Sequence, residues 1–190
     1  AVNELLPNDC GPIYRETLQM GFPVEPWNTA SNLVFLFVIL YWAVRLKFQW
    51  RKFPSIFFML AFTSVGLFGG TLYHGTRSNC FWLFLDWIPI VLNVGVLSFV
   101  FWNGYFQNWK IALLFGLPPT LAATLLQLYF GFHSVLYSTL AYLSLFLSAI
   151  ASLIFWIRKK GSLHLRLLGF AMISVGLSFL ARLAERSPHF

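Results

Sequence analysis

Long apolar runs are the feature that most limits how this chain of 190 residues can fold. A helix needs about 20 apolar residues to cross the roughly 30 Å hydrocarbon layer of a membrane. The sequence contains six such runs, which we place at 29–46, 54–73, 81–102, 110–131, 135–157 and 163–183. Because the connectors are short, neighbouring helices should be antiparallel. The predicted fold class is an all-α integral membrane protein, an up-and-down bundle of six transmembrane helices, with a polar N-terminal segment at 1–28 and a tail at 184–190.

The composition supports lipid rather than water as the solvent for most of the chain. Hydrophobic residues make up 58% of the sequence and charged residues only 10%. A water-soluble domain would carry charge at roughly a quarter of its positions. Too few polar residues remain to cover a globule of this size in water.

The basic residues form two clusters, at 45–52 and 158–160. Basic clusters beside apolar runs usually mark the cytoplasmic side of a membrane protein, and with six spans both clusters lie on that side. We therefore predict that the N-terminus is outside or lumenal and that the RKK loop is cytoplasmic. Binding of lipid head groups is the alternative use of these residues. The net charge of +7 gives no reason to expect nucleic acid as a partner.

One acid stands apart, because Asp86 lies within the third apolar run. A carboxylate in a membrane helix costs on the order of 3 kcal/mol and usually faces a partner inside the bundle. In one interpretation Asp86 pairs with Arg77 or Arg182 and holds helices together. In the other it acts on a polar group near His74, as carboxylates beside a metal-bound histidine or water do. His74 itself is either an interfacial residue or a ligand.

Three motifs carry a resemblance to a known family. The stretch EPWNTASNLVFLF at 25–37 resembles the E-x-W-N-T-x-S-N-L signature at the start of the first helix of alkaline ceramidases. LYHGT at 72–76 and LDWIPI at 85–90 resemble that family's second- and third-helix motifs. These enzymes belong to a superfamily of seven-helix, zinc-dependent membrane hydrolases that includes the adiponectin-receptor type. The resemblance implies zinc-dependent cleavage of an amide bond in a ceramide-like membrane lipid.

The resemblance also implies roles for individual residues. His74 corresponds to a zinc ligand, and Asp86 to the catalytic acid that acts on the zinc-bound water. Glu25, with Asp9 as a further candidate, corresponds to a ligand of a calcium site in the N-terminal segment. From the residues alone, Glu25 could equally be an acid that caps the first helix, since acids are favourable at helix N-termini.

The chain departs from the family in two respects. Gly70 stands where the family has a serine, four residues before the histidine. The family takes two further zinc ligands from an H-x-x-x-H on a seventh helix, and a catalytic zinc site needs three protein ligands. We therefore expect either that the seventh helix lies beyond the C-terminal end of this chain or that no family-type site exists. His189 and His133 are the alternative ligands within the chain.

Two further alternatives remain open. Cys10 and Cys80 fall on the same predicted side of the membrane, so they either form a disulfide in an oxidising compartment or remain free thiols. The rival to an enzyme is a non-enzymatic receptor or scaffold of the same superfamily. A transporter is less favoured, because one intramembrane acid offers few polar groups for a transport site.

Overall fold

The structure is a computed structural model. It describes residues 10–18, 21–131 and 135–161, with the isolated positions 166, 169, 170, 172–174, 176 and 177. Helices make up the regular secondary structure of these residues. In chain order they are α1 (Pro26–Ser31), α2 (Leu33–Arg45), α3 (Pro54–Thr76), α4 (Cys80–Phe106), α5 (Trp109–Phe130) and α6 (Val135–Lys160). The prediction of an all-α membrane protein is confirmed.

Five helical stretches among the described residues are long and apolar enough to cross a membrane, with α1 and α2 counted as one. They correspond to the first five predicted spans, and the protein is therefore a multi-pass membrane protein. The predicted sixth span at 163–183 falls mostly outside the described residues, as does the tail at 184–190. The count of six stays a prediction.

The turn between α3 and α4 is shorter than the sequence indicated. Helix α3 continues to Thr76, and Arg77 ends it in the left-handed conformation with φ of 48°. Asn79 then starts α4, because its side chain accepts a hydrogen bond from the backbone N–H of Phe81 at 2.8 Å, as a good N-cap does. His74 therefore lies on the last turn of α3 instead of in a loop. The helical backbone fixes the direction in which its side chain leaves the helix.

Small residues allow α3 and α4 to approach closely. Gly69 of α3 is buried, and a Cβ placed there would lie 2.5 Å from the backbone carbon of Leu85. Glycine at such a contact lets two membrane helices meet backbone to backbone. Helix α4 also packs against α5 and α6, where a buried cluster contains Trp87, Val91, Ala123, Ala141 and Leu145. The α3–α4 contact brings Asp86 beside the end of α3.

Candidate active site

The N-terminal segment is attached to the α3–α4 turn by a covalent bond and by backbone hydrogen bonds. Cys10 and Cys80 form a disulfide, with their Cα atoms 5.5 Å apart. The backbone N–H of Val24 donates to the carbonyl of Gly75, and that of Glu25 to the carbonyl of His74, both at 2.9 Å. These bonds hold the segment before α1 against the last turn of α3.

Glu25 lies at the centre of this junction with a fully buried side chain. Its Oε1 accepts hydrogen bonds from the Thr17 hydroxyl at 2.7 Å and from the Arg77 guanidinium. Its Oε2 lies 2.5 Å from Nδ1 of His74. Glu25 precedes α1 but its side chain makes no capping hydrogen bond. Instead, the Glu16 carboxylate accepts from the backbone N–H groups of Trp27 and Asn28, at 2.6 and 2.9 Å.

These contacts determine the ionisation of Glu25. Burial alone would raise the pKa of its carboxyl group, because desolvation disfavours the charged form. The hydrogen bond from His74 and the positive charge of Arg77 outweigh this effect and hold the pKa below its ordinary value of 4.5. Glu25 is therefore an anion at neutral pH although it is buried.

Arg77 is the cation that balances Glu25. Its side chain is buried, and it donates to the carbonyl of Pro12 at 2.8 Å as well as to Glu25. Its guanidinium also lies over the ring of Tyr73, 4.9 Å from the centroid. In the structure Arg77 forms a buried ion pair with Glu25. Arg182 lies outside the described residues.

His74 connects Glu25 to Asp86. Its Nδ1 faces Glu25, and its Nε2 lies 3.8 Å from Oδ2 of Asp86. Since an ionised carboxylate can only accept, Nδ1 carries a proton in the contact with Glu25. A neutral imidazole then has its lone pair on Nε2, the nitrogen that faces Asp86. A metal-binding histidine usually donates a hydrogen bond from its other ring nitrogen to a carboxylate, as Nδ1 does here to Glu25.

Gly70 lies one turn before His74 on the same helix and beside Asp86. A Cβ at position 70 would be 2.5 Å from Oδ1 of Asp86. The carboxylate thus occupies the space into which a serine at this position would extend. A small cavity of about 40 Å³ adjoins Asp86 and is also lined by Thr63 and Asn93, whose side chains are hydrogen-bonded at 3.0 Å. The cavity can hold a water molecule, for which roughly 10–15 Å³ of such space is enough.

The residues fit one part of a zinc site. His74 offers Nε2 as a ligand and Glu25 supports it from the other side. Within the described ranges, no group of three or more His, Cys, Asp and Glu residues is arranged to hold a metal ion. The other candidate ligands, His133 and His189, lie outside those ranges. A zinc ion at His74 would need ligands from elsewhere in the protein.

The residues do not fit a calcium ion at Glu25. Calcium is bound by six to eight oxygen atoms, but both carboxylate oxygens of Glu25 already accept hydrogen bonds, and one of them pairs with the Arg77 cation. Asp9 lies outside the described residues.

Several contacts of the site were not predicted from the sequence. Arg77 and Thr17 hold Glu25, but nothing in their local pattern identifies Glu25 as their partner. Glu16 caps α1 from a position eleven residues away from Trp27. Asn32 was part of the N-T-x-S-N-L stretch without an assigned role.

The chain matches no family model, no curated protein and no solved structure. A functional assignment therefore depends on the geometry of this site and on the motifs at 25–37, 72–76 and 85–90.

Proposed function

We propose that the protein is a membrane-embedded, zinc-dependent hydrolase that cleaves the amide bond of a ceramide-like lipid. The observation that carries the proposal is the position of His74 between two carboxylates, with Nδ1 on Glu25 and Nε2 3.8 Å from Asp86. A histidine whose tautomer is fixed in this way is prepared to bind a metal through Nε2. The motif resemblance to alkaline ceramidases supports the same assignment.

Each residue has a distinct role in this chemistry. Zinc, when bound, lowers the pKa of a bound water and polarises a carbonyl group. Asp86 accepts the proton of the attacking water and returns it to the leaving nitrogen, which is the work of a general base and then a general acid. His74 supplies one ligand, and Glu25 holds its ring in place. Arg77 keeps Glu25 ionised.

The surroundings of Asp86 suit a lipid substrate. Phe35 of α2 and Ile90 of α4 line the same cavity as Asp86, and each is 37% exposed on the surface that would face lipid. A lipid amide could therefore approach Asp86 laterally from the membrane, while the cavity supplies the water.

The proposed activity can be tested by removing the metal. The purified full-length protein should release a fatty acid and a free amine from a ceramide in detergent micelles. A strong chelator should abolish this release, and added zinc should restore it in proportion to the zinc bound. Undiminished hydrolysis by protein that metal analysis finds zinc-free would refute the proposed mechanism.

A non-enzymatic lipid receptor or scaffold is the second candidate. Gly70, in place of the family's serine, favours it. Stoichiometric ceramide binding by zinc-loaded protein without any hydrolysis would identify this alternative.

We also propose that the site lies on the outer or lumenal side and the basic RKK loop in the cytoplasm. Lys159 donates a hydrogen bond to the carbonyl of Tyr105, near the end of α4, whereas Asp86 lies near its start. Helix α4 has 27 residues, about 40 Å at 1.5 Å per residue. The basic loop and the site are therefore at opposite ends of a helix long enough to cross the membrane.

Epitope tags inserted into the protein and probed in intact cells test this orientation. A tag after residue 2 should be accessible from outside, or from the lumen, and a tag in the loop at 158–162 only from the cytoplasm. Detection of both tags from one side of the membrane would contradict the proposed orientation.

A further inference from the structure

Charge is unevenly distributed along the bundle. Eight exposed basic residues lie at the end opposite to the candidate active site, namely Arg45, Lys47, Arg51, Lys52, Lys110 and the three residues of the RKK loop at 158–160. We call this surface the basic end. The sequence has no acid between Glu25 and Asp86, and none between Asp86 and Glu185. The connections at the basic end therefore contain no carboxylate that could balance these charges.

The packing of the helices brings these charges together. Helix α3 is antiparallel to α4 and packs against it, so the loop at 46–53 lies at the end of the bundle where α4 ends. Lys110 is on the first turn of α5, after the turn at 107–108. Lys159 donates a hydrogen bond to the carbonyl of Tyr105, which holds the end of α6 against the last turn of α4. Like charges gathered in this way repel one another, so an anion from outside the chain would stabilise the basic end.

The basic end lies at the depth of the lipid head groups. Helix α4 is about 40 Å long at 1.5 Å per residue, whereas the hydrocarbon layer is about 30 Å thick, so the helix reaches the head-group layer. Trp50 and Trp109 are exposed at this end, and tryptophan is enriched at the membrane–water interface. Arg51 lies over the Trp50 ring and Lys110 over the Trp109 ring, 5.1 and 5.7 Å from the centroids. These contacts place the two cations beside rings that suit the head-group layer.

We infer that the basic end binds the phosphate-bearing head groups of anionic phospholipids. Ammonium and guanidinium groups donate charge-assisted hydrogen bonds to phosphate oxygens. Clusters of about four to eight basic residues next to a membrane-spanning helix are typical of sites for anionic lipids. A zwitterionic head group is a poorer partner, because its own cation cancels the charge of its phosphate. This inference goes beyond the proposed hydrolase function and does not rest on it.

The test compares two phospholipids as ligands of the full-length protein in detergent. Phosphatidylglycerol is anionic, and phosphatidylcholine carries no net charge. With a fluorescent label on the acyl chain, energy transfer from tryptophan reports binding and gives each Kd. Each basic residue near a head group contributes about fivefold to the affinity, so contact with two of them should make phosphatidylglycerol bind at least about 25-fold more tightly. Salt at about 1 M should remove most of this preference, because the screening length falls to about 3 Å.

Matched variants locate the lipid at the basic end. Lys110→Gln with Lys160→Gln should weaken phosphatidylglycerol binding about 25-fold and leave phosphatidylcholine binding unchanged. Lys159 is kept because it also holds α6 against α4. Lys110→Arg with Lys160→Arg retains both charges and should bind like the wild type. Arg15→Gln removes an exposed charge from the N-terminal segment, at the other end of the bundle, and should also leave the affinity unchanged.

Three results would overturn the inference. Equal affinity of the wild type for the two lipids would show that the basic end does not select an anionic head group. A Kd of the double glutamine variant within about twofold of the wild type would show that the lipid binds elsewhere. An equal loss of affinity in the double arginine variant would show that charge does not hold the lipid. No result in this series depends on amide hydrolysis, so the proposed function stands or fails separately.

Discussion

Asp86→Asn in the full-length protein should reduce lipid-amide hydrolysis by about 10²–10⁴, the usual contribution of a general base, while zinc remains bound. The substitution keeps the shape of the side chain but removes its ability to accept the proton of the water. His74→Ala should fail differently, because it removes a metal ligand. Bound zinc and activity should then fall together. Metal analysis and a ceramide-hydrolysis assay on the same preparations measure both effects.

Two results would contradict this division of roles. Full zinc occupancy in His74→Ala would show that His74 is not a ligand. Near-normal hydrolysis in Asp86→Asn would leave Asp86 as an acid that joins helices. Glu25→Gln should have an effect between those of the other two variants on zinc binding. It should weaken zinc binding about 10- to 100-fold, as loss of a residue that supports a metal-bound histidine does.

Arg77→Met should destabilise the protein by about 3–5 kcal/mol, because it leaves the buried Glu25 carboxylate without its cation. The apparent free energy of unfolding in a defined detergent would measure the loss. Arg51→Met is the matched control, since Arg51 is exposed and lies over the Trp50 ring, 5.1 Å from its centroid. It should change stability by less than about 0.5 kcal/mol.

A double variant and a pH series test the same ion pair. Glu25→Gln in the Arg77→Met background should recover part of the lost stability, because the uncompensated charge is removed.

In the wild type the folded-state pKa of Glu25 is lower than 4.5. The stability from its ionisation is therefore full above about 4.5 and is lost as the pH falls through the folded-state pKa. This loss at acid pH should be weaker in Arg77→Met. Equal stability of Arg77→Met and Arg51→Met would contradict the buried ion pair.

The fold class was predictable because the bilayer imposes it. A hydrocarbon layer of fixed thickness requires apolar runs of a fixed length, and those runs are visible in the sequence without knowledge of any contact. Helix ends were less predictable. Arg77 and Gln107 both adopt the left-handed conformation at the ends of helices, and neither is the glycine that usually indicates such an end.

The candidate site was only partly predictable for a different reason. His74 and Asp86 are twelve residues apart on adjoining helices, so a local pattern brings them together. Glu25 and Arg77 are 52 residues apart in the chain, and they meet only because the N-terminal segment folds back onto α3. The pattern of apolar runs does not reveal this contact between Glu25 and Arg77. The Nδ2 of Asn32 has no hydrogen-bond partner among the described residues, which only the folded structure reveals.

The double attachment of Glu25 to His74 has a consequence for the behaviour of the protein in membranes of different thickness. Helices respond to a thicker or thinner bilayer by changing their tilt. Glu25 contacts His74 both through its backbone N–H and through its carboxylate. When α3 tilts, the imidazole and its supporting carboxylate must therefore move as one body. The orientation of His74 should therefore be largely insensitive to lipid chain length. A change in bilayer thickness would instead act on the site by changing the spacing between α3, which carries His74, and α4, which carries Asp86.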